Sequence, residues 1–160
     1  MGNAITELIK NRKMETDEQI ESFEQALDSI FSRRDFNDFD NLIKGFDDGT
    51  ENKEVMFSLV HAVEYFAEKI STQEYVAKIL SCLKLMNPHA LDWADILILR
   101  IINNDDYYAS LQESVIKNKA YDTGVLKLIL NHLIERNPKR FSERCNHILS
   151  LIARVYEVEF

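Results

Sequence analysis

The sequence predicts an all-α fold, and three observations carry that expectation. Gly and Pro number only four and two in 160 residues, too few for the tight hairpin turns that a β protein needs. Apolar residues recur at three- and four-residue spacing, which lines one face of a helix. Ser, Thr, Asp and Asn stand directly before these periodic runs, where side-chain oxygens cap free amides.

Taken in order, the elements follow from those signals. Ala4 to Lys13 forms a short first helix. Thr16-Asp17-Glu18-Gln19 reads as a capping box opening a second, whose stripe is Ile20, Phe23, Ala26, Leu27, Ile30 and Phe31. Arg33 and Arg34 suit its carboxyl end, where the helix dipole favours cations. Asp38 or Asp40 caps a short third helix through Leu42 and Ile43, which Gly45 would stop. After the loop Phe46 to Asn52, the residues Val55, Leu59, Val63, Phe66 and Ile70 mark a long helix from about Lys53 to Lys69. Ser71 and Glu74 form another capping box, opening a helix that runs to Met86.

Asn87-Pro88 ends that helix and starts the next, since proline is tolerated in a first turn. Its residues Leu91, Trp93, Ile96, Leu97, Leu99, Ile101 and Ile102 are apolar on most sides, the signature of a buried element. Asn103-Asn104-Asp105 breaks it and caps a helix from about Asp106 to Lys117. Asp122 then caps Val125 to Arg136, and Asn137-Pro138 starts a last helix through to Tyr156.

From Asn52 onward, helix pairs begin near residues 52, 88 and 122, intervals of 36 and 34 residues, the size of a helical-hairpin repeat. The expected architecture is stacked antiparallel helix pairs, as a HEAT/armadillo-like α-solenoid or a compact helical bundle. At 46% hydrophobic the chain fits a single domain over residues 1–160, long enough to bury about two-thirds of its unfolded surface.

Charge is distributed unevenly. Residues 1 to 54 carry 14 Asp and Glu against 7 Lys and Arg, while the remaining 106 carry 13 against 12, so −7 of the net −8 lies in the amino-terminal third. A nucleic-acid binder needs a basic stripe to neutralise phosphates, so this distribution argues against a direct nucleic-acid partner and for a basic protein surface. A solvated acidic face kept for solubility explains the same numbers without a partner. The stretch Ile96 to Ile102 is interrupted by Arg100 and falls far short of the roughly 20 residues that span a bilayer, so no membrane is expected. Cys82 and Cys145 each sit inside an apolar-periodic segment, and no secretory leader opens the chain. The expected compartment is the cytosol.

Little in the sequence points to catalysis. His61 and Glu64 lie one turn apart, with His132 and His147 on later helices, but neither a His-Glu-x-x-His nor a Cys-x-x-Cys pattern supplies the three or four ligands zinc requires. Asp47-Asp48-Gly49-Thr50-Glu51 lacks the alternating ligands and the terminal Glu of a calcium loop. Carboxylate pairs abound in any acidic helical protein and carry no specificity. No phosphate-binding glycine loop or nucleophile elbow occurs, so neither an enzyme nor a cofactor is expected. Trp93 reads as core, and the adjacent Tyr107 and Tyr108 cannot both face inward, which leaves them as candidate contact anchors.

Phe46-Asp47-Asp48-Gly49-Thr50-Glu51, then Glu54-Val55-Met56 and Leu59-Val60-His61-Ala62-Val63-Glu64, resemble a family of all-helical bacterial immunity proteins that accompany polymorphic toxins. Trp93 through Ile96-Leu97 to Arg100-Ile101-Ile102-Asn103 is similar to a second block of that family. The resemblance implies an antitoxin that neutralises a cognate toxin, for instance in contact-dependent growth inhibition, where many toxins are RNase or DNase domains with basic grooves. Within the shared block, Asp47, Asp48, Glu51 and Glu54 are candidate partner-facing carboxylates. Alternatively, Asp47 or Asp48 caps the long helix, and His61 with Glu64 forms a buried polar pair that fixes packing. A cytoplasmic helical-repeat adaptor that binds a protein or peptide is the other reading of the same helices.

Overall fold

The computed structural model describes residues 2–117 and 121–156. Among them it contains nine α-helices and no strand, which bears out the all-α expectation. No helix among the described residues is long and apolar enough to cross a membrane. The chain divides into two compact units: Met1–Lys69 with Pro88–Trp93, and Ile70–Asn87 with Ala94–Phe160.

The first unit begins with α1 (Gly2–Lys10) and α2 (Asp17–Phe31), which pack against each other. Between them the chain turns at Met14, whose φ of 48° is unusual for a side chain with a Cβ. Burial of that side chain, 1% exposed, holds the residue there. Helix α2 starts where the capping box places it: Thr16 Oγ1 accepts from Gln19 N at 3.1 Å, and Gln19 Oε1 accepts from Glu15 N at 2.7 Å. Its stripe of Phe23, Ala26, Leu27 and Ile30 is buried.

A 3-10 turn, Phe36–Asp38, leads into α3 (Phe39–Ile43), and here the structure corrects the sequence reading. Asp38 stands at the N-cap position of α3, but its side chain makes no capping hydrogen bond there and pairs with Arg33 at 2.7 Å. The capping oxygen belongs to Asp35, which accepts from Asn37 N at the head of the 3-10 turn. Gly45 follows the helix end without a left-handed backbone. Its requirement is space, because an added Cβ would stand 2.8 Å from Leu8 Cδ2 and 2.9 Å from Leu59 Cδ2.

Helix α4 (Lys53–Tyr65) ends four residues earlier than the periodicity suggests and tightens into a 3-10 turn, Phe66–Glu68. Phe66 is thereby set among Phe31, Phe36 and Phe39, with ring centroids 6.4, 5.7 and 6.0 Å away. Met56, Leu59, Val60 and Val63 complete this core against α2 and α3.

The second unit holds α5 (Thr72–Cys82), α7 (Asp105–Lys117), α8 (Thr123–Arg136) and α9 (Pro138–Tyr156), together with most of α6 (Leu91–Ile102). Ser71, Asn104, Asp122 and Asn137 cap α5, α7, α8 and α9 through their side-chain oxygens, as their positions before the apolar runs predict. Helix α5 packs on α7, α7 on α9, and α8 on α9. Two details depart from the sequence reading: α5 ends at Cys82 and continues as a 3-10 turn to Met86, and α6 starts at Leu91, not at Pro88. Cys82 and Cys145 are buried free thiols, the core packing their apolar surroundings indicate.

Candidate functional site

The loop between α3 and α4 gathers the polar groups of the first unit. Asp47 is 5% exposed and its carboxylate is fully engaged: Oδ2 accepts from Arg12 Nε at 3.0 Å and Oδ1 from Gly49 N at 2.7 Å. Arg12 also donates from Nη1 to Lys44 O at 3.0 Å, so one guanidinium ties the turn after α1 to both Lys44 and Asp47. The Asp47 carbonyl accepts from Trp93 Nε1 at 3.1 Å. Trp93 is 4% exposed, stacks on Phe46 at 5.9 Å, and so lies in the core with its N–H satisfied.

Asp48 does cap a helix, though not the one adjacent in sequence. Its Oδ1 and Oδ2 accept from Asp92 N at 3.1 and 3.2 Å, in the first turn of α6. Its own N–H donates to His89 O at 2.8 Å, so the loop is stitched to residues 89–93 from both sides. This explains the late start of α6, whose cap is supplied by a residue 44 positions away. The long helix α4 is capped instead by Asn52, whose Oδ1 accepts from Val55 N at 3.0 Å.

Electrostatics in this cluster are set chiefly by burial. Desolvation raises the Asp48 pKa, with the carboxylates of Asp92 and Asp47 adding to it and the bonds from the Asp92 and Trp93 amides opposing it. Desolvation lowers the His89 pKa, helped by Arg12 and opposed by Asp47 and Asp48. His89 Nε2 is buried without a hydrogen-bond partner among the described residues. The ring therefore favours its neutral form.

The other sequence candidates fall outside this network. Glu51 and Glu54 are exposed, and the Glu51 backbone N–H donates to Lys13 O at 2.9 Å. His61 is exposed while Glu64 is half-buried, so a buried His61–Glu64 pair is not present. The reason is angular: at 100° per residue His61 lies across α4 from the Met56, Val60, Val63 stripe. Tyr107 and Tyr108 belong to the second unit, and both are half-buried. Tyr107 meets Tyr75 at 5.7 Å between ring centroids. Tyr108 donates its hydroxyl to Arg144 O at 3.2 Å, with the Arg144 guanidinium 4.5 Å from the ring centroid.

Three features went unread in the sequence. Arg12 has no local signal, since its partners are 32 and 35 residues away. Asp95, 2% exposed, lies 3.6 Å from His132 Nδ1 and 3.6 Å from Arg136 Nη1. A lone acid inside the apolar run of α6 is a legible sign of such a buried charge. Phe57 is 37% exposed, an apolar residue off the buried stripe of α4.

No group of three or more His, Cys, Asp or Glu side chains among the described residues converges as a metal site would. What the cluster does chemically is hold two carboxylates, a tryptophan and a helix start in one hydrogen-bonded arrangement. The chain matches no curated protein and no solved structure. The family model for Immunity protein 30 matches residues 10–111, a stretch that takes in Arg12, the whole 46–52 loop, α4, His89 and Trp93. The resemblance carried by the Asp47-Asp48 loop and the Trp93 block is thereby borne out, and the chain belongs to the Immunity protein 30 family.

Proposed function

We propose that this immunity protein binds one cognate toxin domain, one to one, and neutralises it by occluding its active site or its substrate path. The family match over residues 10–111 carries the reading. The toxin is a basic protein, an RNase or DNase domain delivered by a neighbouring bacterium, as in contact-dependent growth inhibition. The charge of the amino-terminal third supports that partner: a nuclease groove is built to attract phosphates, and an acidic protein competes for it with steered, fast association. The mechanism needs no cofactor and no turnover, because exclusion alone stops the toxin. Protection acts in the cytoplasm, where an incoming nuclease meets its substrate; two buried free thiols suit that reducing compartment.

Co-expression tests the reading. Cells producing the toxin domain encoded beside this gene survive when the protein is present, and the two co-purify at equimolar ratio. Cell death despite soluble protein, or no complex on size-exclusion chromatography, overturns it.

A further inference from the structure

Three large apolar side chains are exposed among the described residues: Phe57 at 37%, Ile116 at 48% and Leu128 at 40%. Ile116 is followed by Lys117, which is ion-paired with Glu113 at 2.8 Å, and Leu128 is preceded by Lys127. Phe57 has different company. Its ring stands edge-on to Trp93 at 5.1 Å and 74°. Trp93 is itself pinned by its stack on Phe46 and its bond to the Asp47 carbonyl. The exposed ring therefore projects from a rigid aromatic base and loses little rotamer freedom when it is covered.

The residues that flank Phe57 and Trp93 in sequence carry mostly negative charge. Glu54 is exposed one turn earlier on the same face of α4. Asp92 is exposed and adjacent in sequence to Trp93, and the half-buried Asp48 holds the Asp92 amide. Glu51 is exposed just before the helix, and Lys53 is the cation at this margin. An aromatic anchor with a charged rim is the anatomy of a binding hot spot: the buried ring supplies affinity, the rim supplies orientation and rate.

Resting on the immunity reading, we propose that Phe57 and the carboxylates of Asp48, Glu54 and Asp92 form the docking face for the toxin, the phenyl ring entering an apolar pocket bordered by Lys or Arg. Charge complementarity selects this occupant over a second copy of the chain, whose own acidic rim would repel it.

Surface plasmon resonance with the immobilised toxin domain encoded beside this gene tests the assignment. Phe57→Ala raises Kd by roughly 10- to 100-fold, mainly through a faster off-rate, with its melting temperature recorded in parallel. Should Phe57→Ala fold poorly, Phe57→Leu keeps an apolar cover on Trp93 and still weakens binding several-fold. The double variant Glu54→Gln, Asp92→Asn slows association at low salt, and Leu128→Ala leaves both rates unchanged. Wild-type binding with Phe57→Ala within about twofold of it overturns the docking face while the immunity reading stands. Loss of a self-association on Phe57→Ala with toxin affinity intact also overturns it, assigning the face to a homodimer. Wild-type protein that does not bind the toxin at all fails the immunity reading itself.

Discussion

At Asp48 two physical effects oppose each other. The amides at the start of α6 stabilise a carboxylate, whereas burial and the charges of Asp92 and Asp47 disfavour it; burial is the largest, and the pKa is raised from 3.8. An acid whose folded pKa lies above its unfolded value contributes stability below the unfolded pKa and loses it as pH rises through the folded one. At neutral pH, then, a neutral acceptor of the same shape serves the cap better than the ionised group. Asp48→Asn is expected to melt at or slightly above the wild-type temperature at pH 7. Asp48→Ala, which loses the cap, costs about 1 kcal/mol, or roughly 2–4 °C. If thermal denaturation shows Asn and Ala equally destabilising, the negative charge itself is what α6 requires. His89 has the opposite sign. Its pKa is lowered from 6.5, so its contribution is present above that value and is lost as pH falls through the folded pKa. Wild-type stability should decline faster than that of His89→Gln between about pH 7 and pH 5. Parallel curves in urea titrations at the two pH values would show that the buried ring nitrogen has no such effect.

Among the elements, the junction of α3 and α4 leaves the least slack. The Leu8 and Leu59 methyls that a Cβ on Gly45 would meet are wholly buried, so neither can swing clear into solvent. Gly45→Ala is therefore expected to lose about 1–3 kcal/mol to overpacking, although the same change at an unhindered position stabilises by restricting the unfolded chain. A lower urea midpoint with an unchanged m-value is the expected result; a higher midpoint would mean the methyls yield. This residue also shows where sequence legibility stops. Thr16, Ser71, Asn104, Asp122 and Asn137 were readable as caps because a cap acts within three residues of itself, so the signal is local. The start of α6 was not readable, because its cap is Asp48, nor was the role of Gly45, because the crowding comes from α1 and α4. Of the candidate site, the Asp47-Asp48 loop was singled out by the family resemblance, with a partner-facing and a capping role both open. Its partners Arg12 and His89 were not, since nothing in either local sequence records a contact made across the fold.

On the scale of the whole molecule, charge asymmetry needs only the sequence to be seen, and the structure shows one form it takes on the surface. Helix α2 contains no Lys or Arg. Asp17, Glu21, Glu24 and Asp28 fall at intervals of four, three and four residues and are all exposed, a stripe of carboxylates along the face turned away from Phe23 and Ile30. The identity of the toxin is not written in such a feature, because long-range attraction reports the sign of a partner and little of its shape. It does fix how association responds to salt. Steering by exposed charges reaches roughly 30 Å at 0.01 M ionic strength and roughly 3 Å at 1 M. The on-rate with a basic toxin domain should therefore fall by about tenfold or more across that range, while the off-rate, governed by buried contacts, changes far less. Replacing the four α2 carboxylates by Asn and Gln should lower the low-salt on-rate and flatten its salt dependence, leaving the off-rate near wild type. Stopped-flow measurements at several ionic strengths separate the possibilities: a salt-independent wild-type on-rate would confine the acidic third to solubility, whereas a quadruple variant with a faster off-rate would make α2 a contact surface.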